Sequence, residues 1–337
     1  MKTSALGRFV EDRNNSWQEI VARYHTPDLK RAWRQILNTF VPYAALWVLM
    51  ILSLKISYFL TLGISVVAAG LLIRIFIIFH DCGHGSFFQG RRANDTLGFI
   101  AGMLTFTPYH YWRHRHAMHH ATAGNLDKRG VGDIWTMTRT EYESASRWQR
   151  IRYRCSRNPF VMFIIGPMYL VLFLNRFAVL SDGWRWHRSV LWSNLAIAAV
   201  AVALSLTIGF KAYLVIQLPV LLISASLGIW LFYVQHQFEG VYWARQTTWN
   251  YLEVALRGSS YYRLPRVLQW ISGNIGFHHI HHLSPRIPNY LLEKCHRENA
   301  IFQRVKGLHL RESFKSLSFR VWDEEKQQLV PIGPFFL

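Results

Sequence analysis

Residues 62–84 read LGISVVAAGLLIRIFIIFHDCGH, an apolar run that ends directly in two histidines four residues apart. The apolar part, 62–79, is close to the ~20 residues that a helix needs to cross a bilayer. On a helix, side chains four apart share a face, so His80 and His84 point to one place. This stretch therefore predicts a membrane helix that ends in a pair of metal-ligand side chains.

Three further apolar runs of spanning length occupy residues 42–60, 190–208 and 212–235. A polar break near Thr61 and a turn at Gly209–Lys211 predict that the four runs form two hairpins. The predicted fold class is thus an all-α integral membrane protein with four transmembrane helices and a polar, histidine-rich cap.

Two weaker apolar stretches do not fit a simple crossing. Residues 95–107 are too short to span, so we expect a shallow or re-entrant element. Residues 159–180 are interrupted by Gly166-Pro167. If that segment crossed alone, histidines on either side of it in sequence would lie on opposite faces of the membrane. We therefore expect a re-entrant or interfacial path.

The N-terminal residues are polar and basic, with no early apolar stretch of the kind found in signal peptides. Residues 16–19 (Ser-Trp-Gln-Glu) have the spacing of a capping box at a helix start. The apolar side chains that follow, Trp17, Ile20, Val21 and Tyr24, share one helical face. These features predict an amphipathic helix that lies on the membrane surface.

The charge distribution predicts the orientation. The 337 residues carry a net charge of +19, and of the 38 lysines and arginines, 30 lie in 1–41, 108–158 and 236–337. By the positive-inside rule these segments and both termini are cytoplasmic. A net positive charge is also typical of proteins that bind nucleic acid. Here the basic run 147–157 adjoins an apolar stretch, which favours contact with anionic lipid. Contact with an acidic protein partner is the second interpretation. Three scattered cysteines favour a reducing compartment.

The histidines fall into three clusters and one isolated position. The clusters and the isolated position contain nine of the 16 histidines: His80, His84, His116, His119, His120, His236, His278, His281 and His282. In an H-x-x-H-H stretch we expect the three-apart pair to share a helical face, with the adjacent histidine about 100° away, so that one cluster serves two neighbouring metals. A structural zinc takes four ligands and would leave most of these unused. Imidazole also suits iron.

Neutral imidazoles need hydrogen-bond acceptors for their second ring nitrogen. The polar residues near the clusters that we consider for this role are Asp81, Asn125, Asp127, Asp133, Glu239 and Asn274. Three further histidines near the clusters, His110, His114 and His279, fall outside the spacing, and we expect packing or hydrogen-bonding roles for them. Arg74 lies within an apparent span, facing either the site or a lipid headgroup.

The three clusters resemble the histidine boxes of the membrane fatty acid desaturase family. More narrowly, residues 116–135, 233–239 (YVQHQFE) and 258–290 resemble bacterial acyl-lipid desaturases of the Δ12 (omega-6) and Δ5 types. The resemblance covers about residues 40–300. It divides the chain into a cytoplasmic amphipathic segment (1–41), a membrane desaturase domain (42–300) and a cytoplasmic tail (301–337).

This resemblance implies a function. It implies O₂-dependent introduction of a cis double bond into an acyl chain of a membrane lipid, with Δ12 favoured over Δ5. It also implies two iron ions bound by the nine histidines, O₂ as co-substrate and two external electrons. Because no haem-binding or flavin-binding domain is apparent, we expect a ferredoxin-like or flavodoxin-like carrier at the cytoplasmic face of a bacterial inner membrane. Some animal relatives hold a water ligand with an Asn four residues before the isolated histidine; here that position is Phe232.

Other functions remain open at this stage. A membrane di-iron hydroxylase or ketolase would share the boxes and differ in the product. A metal transporter with a histidine relay would need polar residues inside the spans, whereas these histidines lie at span ends and in loops. A zinc metalloprotease is disfavoured because no H-E-x-x-H motif occurs.

Overall fold

The computed structural model describes residues 17–333. The helices in chain order are α1 (Trp17–Ala22), α2 (Leu29–Ser53), α3 (Tyr58–His84), α4 (Arg91–Leu104), α5 (Tyr109–Thr122), α6 (Arg139–Ser144), α7 (Arg147–Ser156), α8 (Gly166–Leu172), α9 (Trp184–Ile208), α10 (Phe210–His236), α11 (Tyr251–Arg257), α12 (Arg266–Ile271), α13 (His278–Leu283), α14 (Asn289–Glu298), α15 (Ala300–Gln303) and α16 (Leu310–Ser313). The short strands are β1 (Tyr261–Arg263), β2 (Gly307–His309), β3 (Val321–Asp323) and β4 (Gln328–Val330).

Four helices of the described part, α2, α3, α9 and α10, are long and apolar enough to cross a membrane, which confirms the predicted fold class. The first hairpin turns at residues 54–57, so the predicted turn near Thr61 is wrong. Thr61 lies inside α3, where its hydroxyl is 2.8 Å from the hydroxyl of Ser53 on α2. A buried hydroxyl that has a hydrogen-bond partner is tolerated within a span. Here the bond links α2 and α3.

The second hairpin turns at Gly209, within the predicted turn. Gly209 has φ of 90°, a conformation that favours glycine and lets α10 begin directly after α9. Helix α10 then packs against α3, and both helices end in a predicted metal ligand, His236 and His84. The two hairpins thereby bring their histidines to the same end of the bundle.

The N-terminal part differs from the prediction in two ways. Ser16 of the expected capping box lies outside the described residues. Helix α2 begins at Leu29, upstream of the apolar run at 42, because Asp28 caps its N-terminus by accepting a hydrogen bond from the backbone of Arg31. The apolar face of α1 is buried rather than laid on lipid: Val21 and Tyr24 pack in a cluster with residues of α11, α13 and α14.

Helix α7 and the segment Val161–Arg176 are bent by 62° at a short break, the geometry of a broken span or of a re-entrant loop. At its start, Arg157 donates to Gln237, just past the end of α10. At the far end of the segment, Arg176 donates to Asn194 of α9. Asn194 lies ten residues after the first residue of α9, which is roughly 15 Å along the helix. The chain then returns to the histidine side, where Asp182 accepts from Tyr111 of α5. The segment begins and ends on one side, as the prediction required.

The cap consists of short elements that surround α13. Strand β1 pairs in parallel with β2, and β3 pairs antiparallel with β4. The region expected to be a tail therefore supplies three strands, and its Trp322 is almost fully buried. These elements fix α13, the third histidine box, over the ends of α3, α5 and α10.

Candidate metal centre

Five histidines from three helices form the first group. The ring nitrogens of His80, His84, His116, His120 and His281 lie within 4.8 Å of one another. His80 and His281 are buried, whereas His84, His116 and His120 are half-buried. We call these residues the five-histidine group.

Four histidines form a second, more enclosed group beside the first. Ring nitrogens of His119, His236 and His282 also lie within 4.8 Å of one another. His278 joins them, with its Nε2 3.0 Å from Nε2 of His236. All four side chains are buried. We call these residues the four-histidine group. Its His282 ring stacks on His120 at 4.2 Å between centroids, so the two groups adjoin.

Each H-x-x-H-H box contributes to both groups, as the sequence predicts, but the pairing within a box differs from the prediction. His116 shares a group with His120, and His278 lies with His282. The three-apart partners His119 and His281 go to the opposite groups. On an ideal helix, side chains four apart diverge by about 40° and those three apart by about 60°, so the four-apart pair converges better on one ion.

The nine imidazoles fit metal ions because ring nitrogens of several of them have no partner except one another. Several face one another at hydrogen-bond distance, such as Nε2 of His120 at 3.1 Å from Nε2 of His116 and of His281. Nε2 of His84 and of His282 is buried without any hydrogen-bond partner. Burial lowers the pKa of five box histidines outside the spans, His116, His120, His278, His281 and His282, well below the usual value. They are therefore neutral at pH 7, the form that binds metals.

In the five-histidine group, Asp81 orients His80. Its Oδ1 lies 3.3 Å from Nδ1 of His80, which leaves Nε2 of that ring for a metal. Its Oδ2 accepts two hydrogen bonds from Asn289, from the backbone N–H at 2.6 Å and from the side chain at 2.8 Å. Asn289 accepts in turn from Gln35 of α2 at 3.0 Å. A buried chain of polar contacts thus ties this ligand to two other helices.

In the four-histidine group, Asp133 has the same role for His119, with Oδ1 at 2.7 Å from Nδ1. Asp81 and Asp133 are thus two of the six acceptors considered from the sequence. The other four contact different groups: Asn125 donates to Gln246, Asp127 accepts from Arg245, Asn274 donates to the backbone of Asn289, and Glu239 lies 4.0 Å from Lys315. Sequence analysis missed Asn289 and Gln35, because they act on the ligand only through Asp81 and do not contact a box histidine themselves.

Replacing Asp133 with alanine is expected to weaken metal binding by roughly 10- to 100-fold, because His119 loses the acceptor that fixes its tautomer. The measurement is iron retained against a chelator series. Asp127→Ala, in the same loop, is the matched control, because Asp127 is exposed and pairs with Arg245. Equal retention by both variants would contradict the role of Asp133.

Phe232 lies against the four-histidine group. Its ring centroid is 5.3 Å from that of His119 and 5.2 Å from that of His236. An apolar ring therefore occupies the position that carries an Asn in some animal relatives. It adds no ligand and shields these two imidazoles from water.

Arg74 faces neither the histidines nor lipid, but the end of α12. Its guanidinium donates to the backbone carbonyl of Trp270 and, at 3.0 Å, to the hydroxyl of Thr39. It also lies 4.1 Å over the Trp270 ring. Since a helix ends in unpaired carbonyls, a buried cation at this end of α12 is well placed. The tight turn that follows leads into His278, so Arg74 anchors the approach to the third box.

Arg74→Met is expected to lower the free energy of unfolding by about 3 kcal/mol, since it removes the hydrogen bonds that the guanidinium donates to the Trp270 carbonyl and the Thr39 hydroxyl, together with its contact with the Trp270 ring. Thermal unfolding in detergent measures this loss. Arg74→Lys keeps the charge and should recover part of the stability. If Arg74→Met were as stable as the parent, the anchoring role would be wrong.

The three remaining histidines named from the sequence lie outside both groups. His114 stacks on Trp186 of α9 at 4.4 Å between centroids. His279 is fully buried and contacts Tyr261 and His296. His110 lines a groove at the opposite end of α5.

The histidine geometry and the four long helices agree with a sequence comparison. The sequence pattern of the fatty acid desaturase family matches residues 56–313. The chain belongs to the fatty acid desaturase family. It is 50% identical to "Fatty acid desaturase" of Bacillus subtilis over 92% of this chain and 88% of the relative. It is 27% identical to "sn-1 oleoyl-lipid 12-desaturase" of Anabaena variabilis over 78% of this chain and 74% of the relative.

The name of a third relative includes an electron carrier. "sn-1 acyl-lipid omega-3 desaturase (ferredoxin)" of Synechocystis is 27% identical over 66% of this chain and 62% of the relative. Membership of the family makes this chain an oxidoreductase with histidine clusters suited to metal. It removes the transporter and protease interpretations.

Proposed function

We propose that this desaturase introduces a cis double bond into fatty acyl chains of membrane lipids, using O₂ and two iron ions. The observation that carries the proposal is the convergence of nine buried or half-buried imidazoles into two adjoining groups at the end of four membrane helices. The five-histidine group would hold one iron and the four-histidine group the other. Bound there, the iron pair supplies the oxidising power that removes hydrogen from two adjacent carbons.

The protein's own residues then determine where the reaction occurs. Asp81 and Asp133 hold two ligand rings in orientation, and Phe232 excludes water from the four-histidine group. A dry site matters because excluding water from an active site prevents side reactions. The bilayer supplies the substrate chain directly to helices that stand within it.

We further propose Δ12 as the double-bond position, with Δ5 as the alternative. Support comes from the resemblance of the box regions and from relatives named as oleoyl-lipid 12-desaturases. By the same reasoning, the electrons come from a ferredoxin-like or flavodoxin-like carrier, as the name of the Synechocystis relative states for that protein.

The location follows from charge. We propose that the protein lies in a bacterial inner membrane, with the histidine groups and both termini in the cytoplasm, because 30 of the 38 lysines and arginines lie in the three segments outside the hairpins. In this arrangement residues 1–41 and 301–337 are cytoplasmic and residues 42–300 form the catalytic membrane domain.

Expression in a bacterium that makes no polyunsaturated lipid tests the proposal, with His119→Ala as the matched inactive variant. Mass spectrometry of derivatised acyl esters is expected to show a chain two hydrogens lighter, with the double bond at Δ12, only for the parent. A chain one oxygen heavier would establish a hydroxylase instead. Purified protein supplied with ferredoxin and a reductase distinguishes a missing reductant from a wrong assignment.

A further inference from the structure

A groove lies on the membrane-facing side of the bundle, between α4, α5 and α9, away from both histidine groups. Its volume is about 560 Å³, within the usual range of small-ligand pockets. Phe99, Trp192, Leu195 and Ala196 form its apolar walls, with His110 and Ser189 as its polar residues. Trp192 is 60% exposed and Leu195 50% exposed, so the groove opens toward the surrounding lipid.

The two polar residues of the groove can donate hydrogen bonds to a ligand. The hydroxyl of Ser189 is shielded from solvent and has no hydrogen-bond partner. Burial lowers the pKa of His110, and the charge of Arg113 lowers it further against the opposing effect of Asp95, so its ring is neutral and offers one N–H donor. Two donors at one level of an apolar groove suit ester carbonyls.

The end of the groove toward the histidine side is basic. Arg185 and Arg188 are exposed on the first turns of α9, and Arg185 lies four residues, about 6 Å along the helix, before Ser189. The nearby carboxylates are paired with other arginines, since Asp182 lies 3.9 Å from Arg115 and Asp95 accepts from Arg113. This end therefore retains positive charge that attracts an anionic headgroup.

We propose that this groove binds one anionic glycerophospholipid. The phosphate contacts Arg185 and Arg188, the ester carbonyls accept from Ser189 and His110, and one acyl chain lies along Trp192, Leu195 and Ala196. A free fatty acid would occupy only one of the two polar levels. The proposal does not depend on desaturation, because lipid binding is measured without turnover.

Native mass spectrometry of the full-length protein tests the site. The protein is equilibrated with vesicles of phosphatidylglycerol and phosphatidylcholine, moved into detergent and analysed for retained lipid. The parent is expected to keep one phosphatidylglycerol. Ala196→Trp, which fills the groove, and Arg185→Ala/Arg188→Ala, which removes the charge, should retain it about tenfold less. The control is Arg147→Ala/Arg152→Ala, an exposed arginine pair on α7.

Elution volume and iron content establish that each variant is folded. Retention by Ala196→Trp equal to the parent would overturn the site, as would an equal loss in the α7 control, which would indicate surface attraction only. Equal retention of phosphatidylcholine would overturn the headgroup contacts. Displacement by oleic acid at equimolar concentration would show that a fatty acid is the occupant instead.

Discussion

His236→Ala is expected to reduce product formation by more than about 100-fold, because a metal ligand matters more than the residues that orient ligands, whose loss alone costs 10- to 100-fold. His236 lies at the centre of the four-histidine group, with Nε2 at 3.3 Å from that of His119 and 3.0 Å from that of His278. No other histidine of α10 can replace it. The iron content is expected to fall from two ions toward one per chain, since the five-histidine group stays intact.

The matched control for this variant is His114→Phe, which removes an imidazole from the box-carrying helix α5 but preserves stacking on Trp186. Desaturated lipid in cells and iron per purified chain are the two measurements. Retention of both iron ions by His236→Ala would show that the four-histidine group does not bind metal as proposed. Loss of activity by His114→Phe would show that α5 tolerates no substitution. The effect of His236→Ala could then not be assigned to the loss of a metal ligand.

Asp81→Ala is expected to lower the free energy of unfolding by about 3 kcal/mol and to weaken iron binding. The substitution leaves two buried donors of Asn289 without an acceptor, and each costs about 1–3 kcal/mol. His80 loses its orienting partner in the same change. Asp81→Asn keeps one acceptor oxygen and should recover much of the stability but less of the iron affinity, because the charge that strengthens the His80 ligand is gone.

Thermal unfolding with and without bound iron separates these two effects. If Asp81→Ala lost iron but unfolded at the parent's temperature, the contacts to Asn289 would not contribute to the free energy of unfolding. If it unfolded early but bound iron normally, the orientation of His80 would not depend on Asp81.

The sequence predicted the features that depend on local spacing. Apolar run length predicted four spans, and the histidine spacing predicted boxes that serve two neighbouring groups. The turn near Thr61 was wrong because a span tolerates a hydroxyl that meets a partner on the next helix, here Ser53. The apolar face of α1 was expected to contact lipid but packs on α11, α13 and α14, because an amphipathic sequence pattern is the same whether lipid or protein covers the face.

Contacts between segments far apart in the chain could not be predicted from the sequence. Nothing local indicates that Arg74 meets Trp270, or that Asn289 meets Asp81, since the partners are 196 and 208 residues apart. The division of each box into a four-apart pair and a single histidine also depends on how α5 and α13 face one another. The division of the chain at residues 42 and 300 and the ligand role of each histidine stay predictions.

The sharing of boxes between groups has a consequence for biosynthesis. The third box supplies His281 to one group and His278 and His282 to the other, and it lies late in the chain. Neither group is complete until the ribosome has released residue 282, long after both hairpins have been made. The nascent chain thus inserts into the bilayer before it has a full set of ligands for either ion, and iron loading is among the last steps of its maturation.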